Sequence, residues 1–194
     1  MTTSPDDTNS GFLPKHGGYR NLLSFQKAEI IYDGTVYFTK RFHHRSKDRT
    51  VDQMVQAARS GKQNIIEGSM ASGTSKEIEI KLTNIARSSL EELLADYEDF
   101  LRTRQLPIWD KDHRYTKRFR ELNRTPKATY QTFAKAIENE SPEICANSMI
   151  CLIKIATYLL AKQIQHLEKD FQEHGGLRER MTKARLDSRN KGKS

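Results

Sequence analysis

Val51, Met54, Ala58, Gly61, Ile65 and Gly68 recur at spacings of 3, 4, 3, 4 and 3. Those spacings return side chains to one face of an α-helix, and they are the ladder on which helices of a bundle pack side by side. The middle members are small, so a neighbouring helix can approach closely. Beside this ladder runs a second one, Gln53, Ala57, Ser60, Asn64 and Glu67. It is polar yet flanks the core, so it either pairs across helices or lies in water. Only 10 Gly and 5 Pro interrupt the 194 residues, which makes long helices the natural reading of the whole chain.

Four such helices are expected, over about residues 21–42, 50–67, 75–104 and 142–174. In the first, Ala28, Ile31, Thr35, Phe38 and Phe42 form one apolar stripe, and Gly34 inside it points to a close helix contact. In the third, Ile78, Leu82, Ile85, Ala86, Ser89, Leu93, Leu94, Tyr97 and Leu101 make a broad apolar face. The fourth opens on Ser141-Pro142-Glu143, a cap followed by proline and acid in the first turn, and closes at Gly175. Its main stripe is Ile150, Ile153, Leu160, Ile164, Leu167 and Phe171. Cys145, Leu152 and Leu159 lie off that stripe, so burial on more than one face is expected. Between the third and fourth helices, residues 105–140 carry several breakers and leave room for two short docked helices, about 112–122 and 127–137. Residues 1–18 read as a disordered lead and 175–194 as a short helix running into a basic tail. The fold class is all-α: an antiparallel up-down four-helix bundle with extra short helices and a basic tail.

The segment joining the second and third helices, "GKQNIIEGSMASGTSKE", contains glycines and a Gly-Lys pair that invite a phosphate-loop reading. Gly61-Lys62 is followed by Gln, no earlier glycine stands at the required spacing, and the preceding segment is helical. The stretch reads instead as helix, turn, helix. Gly68 stops one helix, and Thr74 with Glu77 forms the capping box of the next.

No nucleophile elbow, His-Glu-x-x-His pair or dinucleotide glycine pattern occurs, so an enzyme is not expected, nor a cofactor. His166, Asp170 and His174 share one side of the fourth helix at i, i+4 and i+8. They either present a set of ligands to a metal or simply cap, pair and sit in water. No second helix supplies partner ligands at fixed offsets, so no metal is expected. Cys145 and Cys151 point about 120° apart on one helix and cannot bridge there, so they read as buried thiols in a reducing compartment. The N-terminus lacks a charged region followed by an apolar run. The most apolar stretch, residues 149–161, is broken by Lys154 and too short to span a bilayer. A cytoplasmic protein without membrane contact is expected.

Charge says more. Lys and Arg number 33 against 25 Asp and Glu, a net of +8, and this excess is blocked along the chain. Residues 67–100 carry a net of −5, residues 101–127 a net of +6, residues 40–49 a net of +4 and residues 177–194 a net of +5. The candidate phosphate contacts are Lys40, Arg41, Arg45, Lys47 and Arg49, then Arg114, Lys117, Arg118 and Arg120, then Arg178, Arg180, Lys183 and Arg185. Trp109, Tyr115 and Phe119 either stack bases beside them or belong to the core of short docked helices. The competing reading of the clusters is solvated faces that partly cancel one another.

The most specific signal is a combination of residues. Arg59, Ser60, Asn64, Ile65, Glu67 and Gly68 end the second helix, and Lys76, Glu77, Ile85, Ala86, Ser89 and Glu92 follow in the third. Over residues 22–104 the chain resembles a bacterial four-helix-bundle family that includes proteins encoded within intervening sequences of large-subunit ribosomal RNA genes. More distantly it resembles the accessory variability determinants of diversity-generating retroelements. The resemblance implies an up-down bundle that assembles as a ring, often a homopentamer. It also implies partners for the retroelement relatives, a reverse transcriptase and nucleic acid met through basic surface. No catalytic set comes with it, and those relatives' basic residues map onto no motif here. Residues 105–194 depart from the short members and look like the extended tail of a subset. The expected function is therefore a non-enzymatic homo-oligomer that binds structured RNA, other nucleic acid or a nucleoprotein partner. The alternative is a structural docking module, with Ala58, Gly61, Asn64, Glu67, Gly68, Thr74 and Glu77 serving fold or subunit contact.

Overall fold

The computed structural model describes residues 17–42, 49–125 and 128–191, and among these every regular element is a helix. A 3-10 turn at Tyr19–Asn21 leads into α1 (Leu23–Phe42), followed by α2 (Arg49–Ala71) and α3 (Lys76–Thr103). Two short helices, α4 (Arg114–Asn123) and α5 (Tyr130–Ile137), precede α6 (Pro142–His174) and α7 (Leu177–Lys191). Residues 1–16 of the expected lead lie outside the described residues.

The four long helices α1, α2, α3 and α6 close on one another. α2 packs on α1 and α3, and α6 packs on the same two helices from the other side. The shared core contains Ile31, Phe38, Met54, Leu90, Tyr97 and Met149, all essentially inaccessible to water. Gly34 explains itself here. A Cβ at that position would fall 2.6 Å from the Met149 sulfur and 3.3 Å from Ile137, so α1 and α6 meet where a side chain is missing. The buried Tyr97 hydroxyl is paired, as burial demands: it donates to Thr35 Oγ1 at 3.1 Å. Lys27 is buried with its ammonium over the Phe133 ring, and that burial pushes its pKa down.

The expected boundaries of α6 stand. Ser141 caps it, its Oγ accepting from the Ile144 N–H, with Pro142 in the first turn and Gly175 at φ 65° after the end. Its buried residues include Cys145 and Leu152 as well as Ile150, Ile153 and Leu160, so it is wrapped on several sides. An 18-residue window in the helical stretch that starts at Pro142 reaches a mean hydropathy of 1.8, which suffices by composition for a membrane span and is longer than the sequence reading allowed. Yet 61% of that window is buried inside the fold, as in the core helix of a bundle.

Three local expectations need correction. First, α2 does not stop at Gly68 but runs to Ala71. Gly68 is a packing residue, because a Cβ there would lie 3.4 Å from both the Glu79 carbonyl oxygen and Leu82 on α3. Second, Thr74 is not the cap of α3. Ser75 is, its Oγ accepting from the Ile78 N–H at 3.2 Å while donating to the Glu77 carboxylate at 2.8 Å. Thr74 Oγ1 instead donates to the Ala71 carbonyl and finishes α2. Third, the buried face of α3 runs through Glu79, Thr83, Ala86, Leu90, Leu93 and Tyr97. Ile78 and Ile85, expected inside, are 48% and 38% exposed.

Candidate nucleic-acid interface

The basic candidates fall in three places. Lys40 and Arg41 are exposed in the last turn of α1 and Arg49 is exposed at the start of α2, while Arg45 and Lys47 lie outside the described residues. Arg178, Lys183 and Arg185 are exposed and Arg180 half-buried on α7, a helix with no buried residue among those described. The third group lies on α4, which the fold holds firmly. Phe119 is its buried anchor, stacked on Phe133 of α5 with ring centres 5.8 Å apart. Arg114, Lys117, Arg118 and Arg120 are all exposed around that anchor.

These four cations are not equally free. Lys117 pairs with Asp112 at 3.5 Å and Arg118 with Glu121 at 3.1 Å. Arg114 lies over the Tyr115 ring, its carbon 4.5 Å from the centre, and donates to the Tyr115 hydroxyl. Arg120 has no carboxylate partner among the described residues. It faces a cleft of about 400 Å³ between α4 and α6. Two further cations line the same cleft, Lys111 from the preceding loop and Lys154 from α6. The sequence reading singled out neither. Lys154 had a signal, since it interrupts the apolar run of α6 and recurs at i+4 and i+8 as Tyr158 and Lys162. The three residues form an exposed stripe along the middle of α6.

The aromatic candidates divide. Trp109 is only 9% exposed, its indole N–H donating to Glu143 and its backbone N–H to Asn147 Oδ1. His113 stacks on it at 4.6 Å. Trp109 and Phe119 therefore hold the α4 region to α6 and are not open to bases. Tyr115 is 38% exposed but is covered on one side by Arg114. Cys151, on the cleft wall, has its pKa pushed up by burial.

A second groove, of about 450 Å³, runs along α2 and α3 and is lined by Arg49, Asp52, Gln53, Ser60, Ser89 and Glu92 among others. The motif residues meet there. Ser60 and Ser89 share a hydrogen bond at 2.9 Å, and Asn64 donates to the Ser60 carbonyl. The polar ladder thus pairs across helices in its middle, while Gln53 and Glu67 face water. Beneath it Ala58, Gly61 and Gly68 are buried, the two glycines against α3. A Cβ on Gly61 would meet Leu90 at 2.7 Å, so these three serve the chain's own packing.

At the far end, Asp170 is engaged rather than free. Lys76 Nζ sits 3.1 Å from Asp170 and 3.3 Å from Glu79, and His174 Nδ1 lies 3.1 Å from Asp170. The hydrogen bond from Lys76 holds the Asp170 carboxyl below its ordinary range. This ties the start of α3 to the end of α6, and His166 is exposed apart from it. Among the described residues no group of three or more His, Cys, Asp or Glu is arranged to hold a metal ion. Comparison of the chain with protein-family models, with curated proteins and with solved structures finds no match.

Proposed function

We propose that this protein is an antiparallel, up-down helical bundle that binds structured RNA or a related nucleic acid through the basic surface centred on α4. The observation that carries the reading is the set of exposed cations on that helix, continued by Lys111 and Lys154 across one cleft. Phosphates are recognised by such arrays, and a rigid anchor such as Phe119 fixes their register. The resemblance over residues 22–104 supports it and adds a homo-oligomer, a pentamer in the family's usual form, with a reverse transcriptase or other nucleoprotein among its partners. No catalytic role is part of the proposal.

Filter binding to a structured RNA at two salt concentrations tests it. Affinity should fall steeply with salt, by roughly one unit of log–log slope for each phosphate contact. Replacing Arg114, Lys117, Arg118 and Arg120 together by Ala should flatten that slope. No binding at low salt, or binding indifferent to salt, would sink the reading.

A second reading is an assembly module whose function is partner docking. Ile78 and Ile85 favour it, exposed one heptad apart on α3. Light scattering decides: a monomer removes it, and an oligomer that Ile85→Glu dissociates supports it.

A further inference from the structure

The cleft between α4 and α6 offers more than charge. Its floor is apolar, made by Phe119, Ile150, Ile155 and Leu159. At its lip stands Tyr158, 61% exposed, the most exposed large hydrophobic side chain among the described residues. Asn123 also lines the cleft, but its Oδ1 is buried away from the opening. At its mouth are Lys111, Arg120 and Lys154. Asp110 also lines it, but the Asp110 carboxylate is occupied by the backbone N–H groups of Asp112 and His113 at 2.7 Å each. Lys154 meets Glu98 at 3.3 Å, with the Lys154 side chain 52% and the Glu98 side chain 38% exposed, so water screens the pair and a phosphate can compete for the ammonium.

Each feature calls for a different part of a ligand. An exposed aromatic ring beside an apolar hollow, with the Lys162 ammonium 5.9 Å from its centre on one face, offers its other face to a flat partner. Three cations without a full complement of carboxylates lack an anion. A single nucleotide supplies both, through its base face and its phosphate. A paired duplex does not, because its bases are stacked on one another and their edges are taken. A hollow of about 400 Å³ also suits a small molecule or one residue of a strand, not a helix.

We infer that this cleft receives one unpaired nucleotide extruded from an RNA strand. The base stacks on Tyr158 over the apolar hollow, and Arg120 with Lys154 hold the adjoining phosphate. The inference rests on the RNA-binding reading and sharpens it: the basic face of α4 tracks the paired stem, and the cleft reads the loop or bulge.

The test uses the full chain, a hairpin RNA with an unpaired loop and a duplex of the same length without one. The hairpin should bind more tightly. Tyr158→Ala should weaken the hairpin about tenfold and leave the duplex unchanged, in keeping with the worth of a base–aromatic stack. Tyr158 is exposed, so circular dichroism of that variant should match the parent. Hairpin carrying 5-iodouridine in the loop should photocrosslink to the α6 peptide holding Tyr158. Uridine monophosphate should compete at least about a hundredfold less well than the hairpin, because it lacks the phosphates that α4 tracks. Equal, salt-sensitive binding of hairpin and duplex, untouched by Tyr158→Ala, overturns the inference and leaves RNA binding standing. Absence of any RNA binding overturns both. Monophosphate binding as tight as the hairpin assigns the cleft to a free nucleotide and overturns the strand. A change of oligomer mass in Tyr158→Ala, with RNA affinity intact, assigns the lip to protein contact and also overturns it.

Discussion

The α2–α3 groove and the α4–α6 cleft are both seams between neighbouring helices, but they treat their polar groups in opposite ways. Along α2–α3 the polar groups in the middle of the groove are satisfied by the chain itself. Ser60 finds Ser89, Asn64 finds Ser60, and Gly61 lets Leu90 fill the space below. Along α4–α6 the seam is left open, with an exposed tyrosine and an Arg120 that has no carboxylate partner among the described residues. A groove whose hydrogen bonds are already made contributes to the fold, and one left incomplete is available for a ligand. The motif residues that mark the chain most clearly lie in the first kind of groove, and the candidate site is the second.

The sharpest way to break the comparison is to empty each seam. Leu90→Ala removes a fully buried side chain beneath Gly61 and should cost about 3 kcal/mol in urea unfolding, through lost burial and an unfilled cavity. Tyr158→Ala at the open cleft should cost less than about 0.5 kcal/mol, as for an exposed surface position. Comparable losses at both would mean that the cleft is part of the core.

A finer contrast lies within α2. Gly61→Val drives atoms into Leu90 and should cost about 2 kcal/mol by overpacking. Gly68→Ala meets its neighbours at 3.4 Å, near ordinary contact, and gains up to about 1 kcal/mol of helix propensity. Its thermal midpoint should be unchanged or slightly raised. A large loss at Gly68 would restore it to the role of a helix stop.

These two glycines show what a sequence can and cannot disclose. Both sit on one 3-4 ladder, and the ladder located α2 correctly. That Gly68 is followed by small polar residues made it look like an end, but whether a glycine ends a helix depends on the helix packed against it. The bounds of α6 were legible because Ser141-Pro142 and Gly175 act locally, through caps and φ. The open cleft was not legible. Arg120 and Lys154 come from elements far apart in the chain, and only docking of Phe119 places them together. Blocks of positive charge could be counted in the sequence. Which cations are spent on Asp112 and Glu121, and which remain free, depends on side-chain geometry.

The cap of α3 gives a smaller effect and tests the same distinction between local pattern and actual partner. Ser75→Ala deletes the acceptor for the Ile78 N–H and should cost about 1 kcal/mol. Thr74→Ala should cost only a few tenths, because its hydroxyl closes the end of α2 in a water-exposed bond. The reverse order in denaturant midpoints would return the capping box to Thr74 and Glu77.

The smallest effect concerns the pH dependence of the α3–α6 end. Burial pushes the Glu79 carboxyl above its ordinary 4.5, although Lys76 opposes this. The folded state therefore binds that proton more tightly than the unfolded chain does. Stability from Glu79 is full below pH 4.5 and is lost as pH rises through the raised folded value. Asp170 runs the other way. Its bond from Lys76 holds it below its ordinary 3.8, so its contribution is present above that value and lost as pH falls through the folded one. Glu79→Gln should abolish the first trend and keep the second. Unfolding of parent and variant, compared from pH 4 to 7, should show the parent losing ground on the variant as pH rises. Parallel curves would mean that the Glu79 carboxylate is well solvated, and that this end of the fold is as open as the α4–α6 cleft.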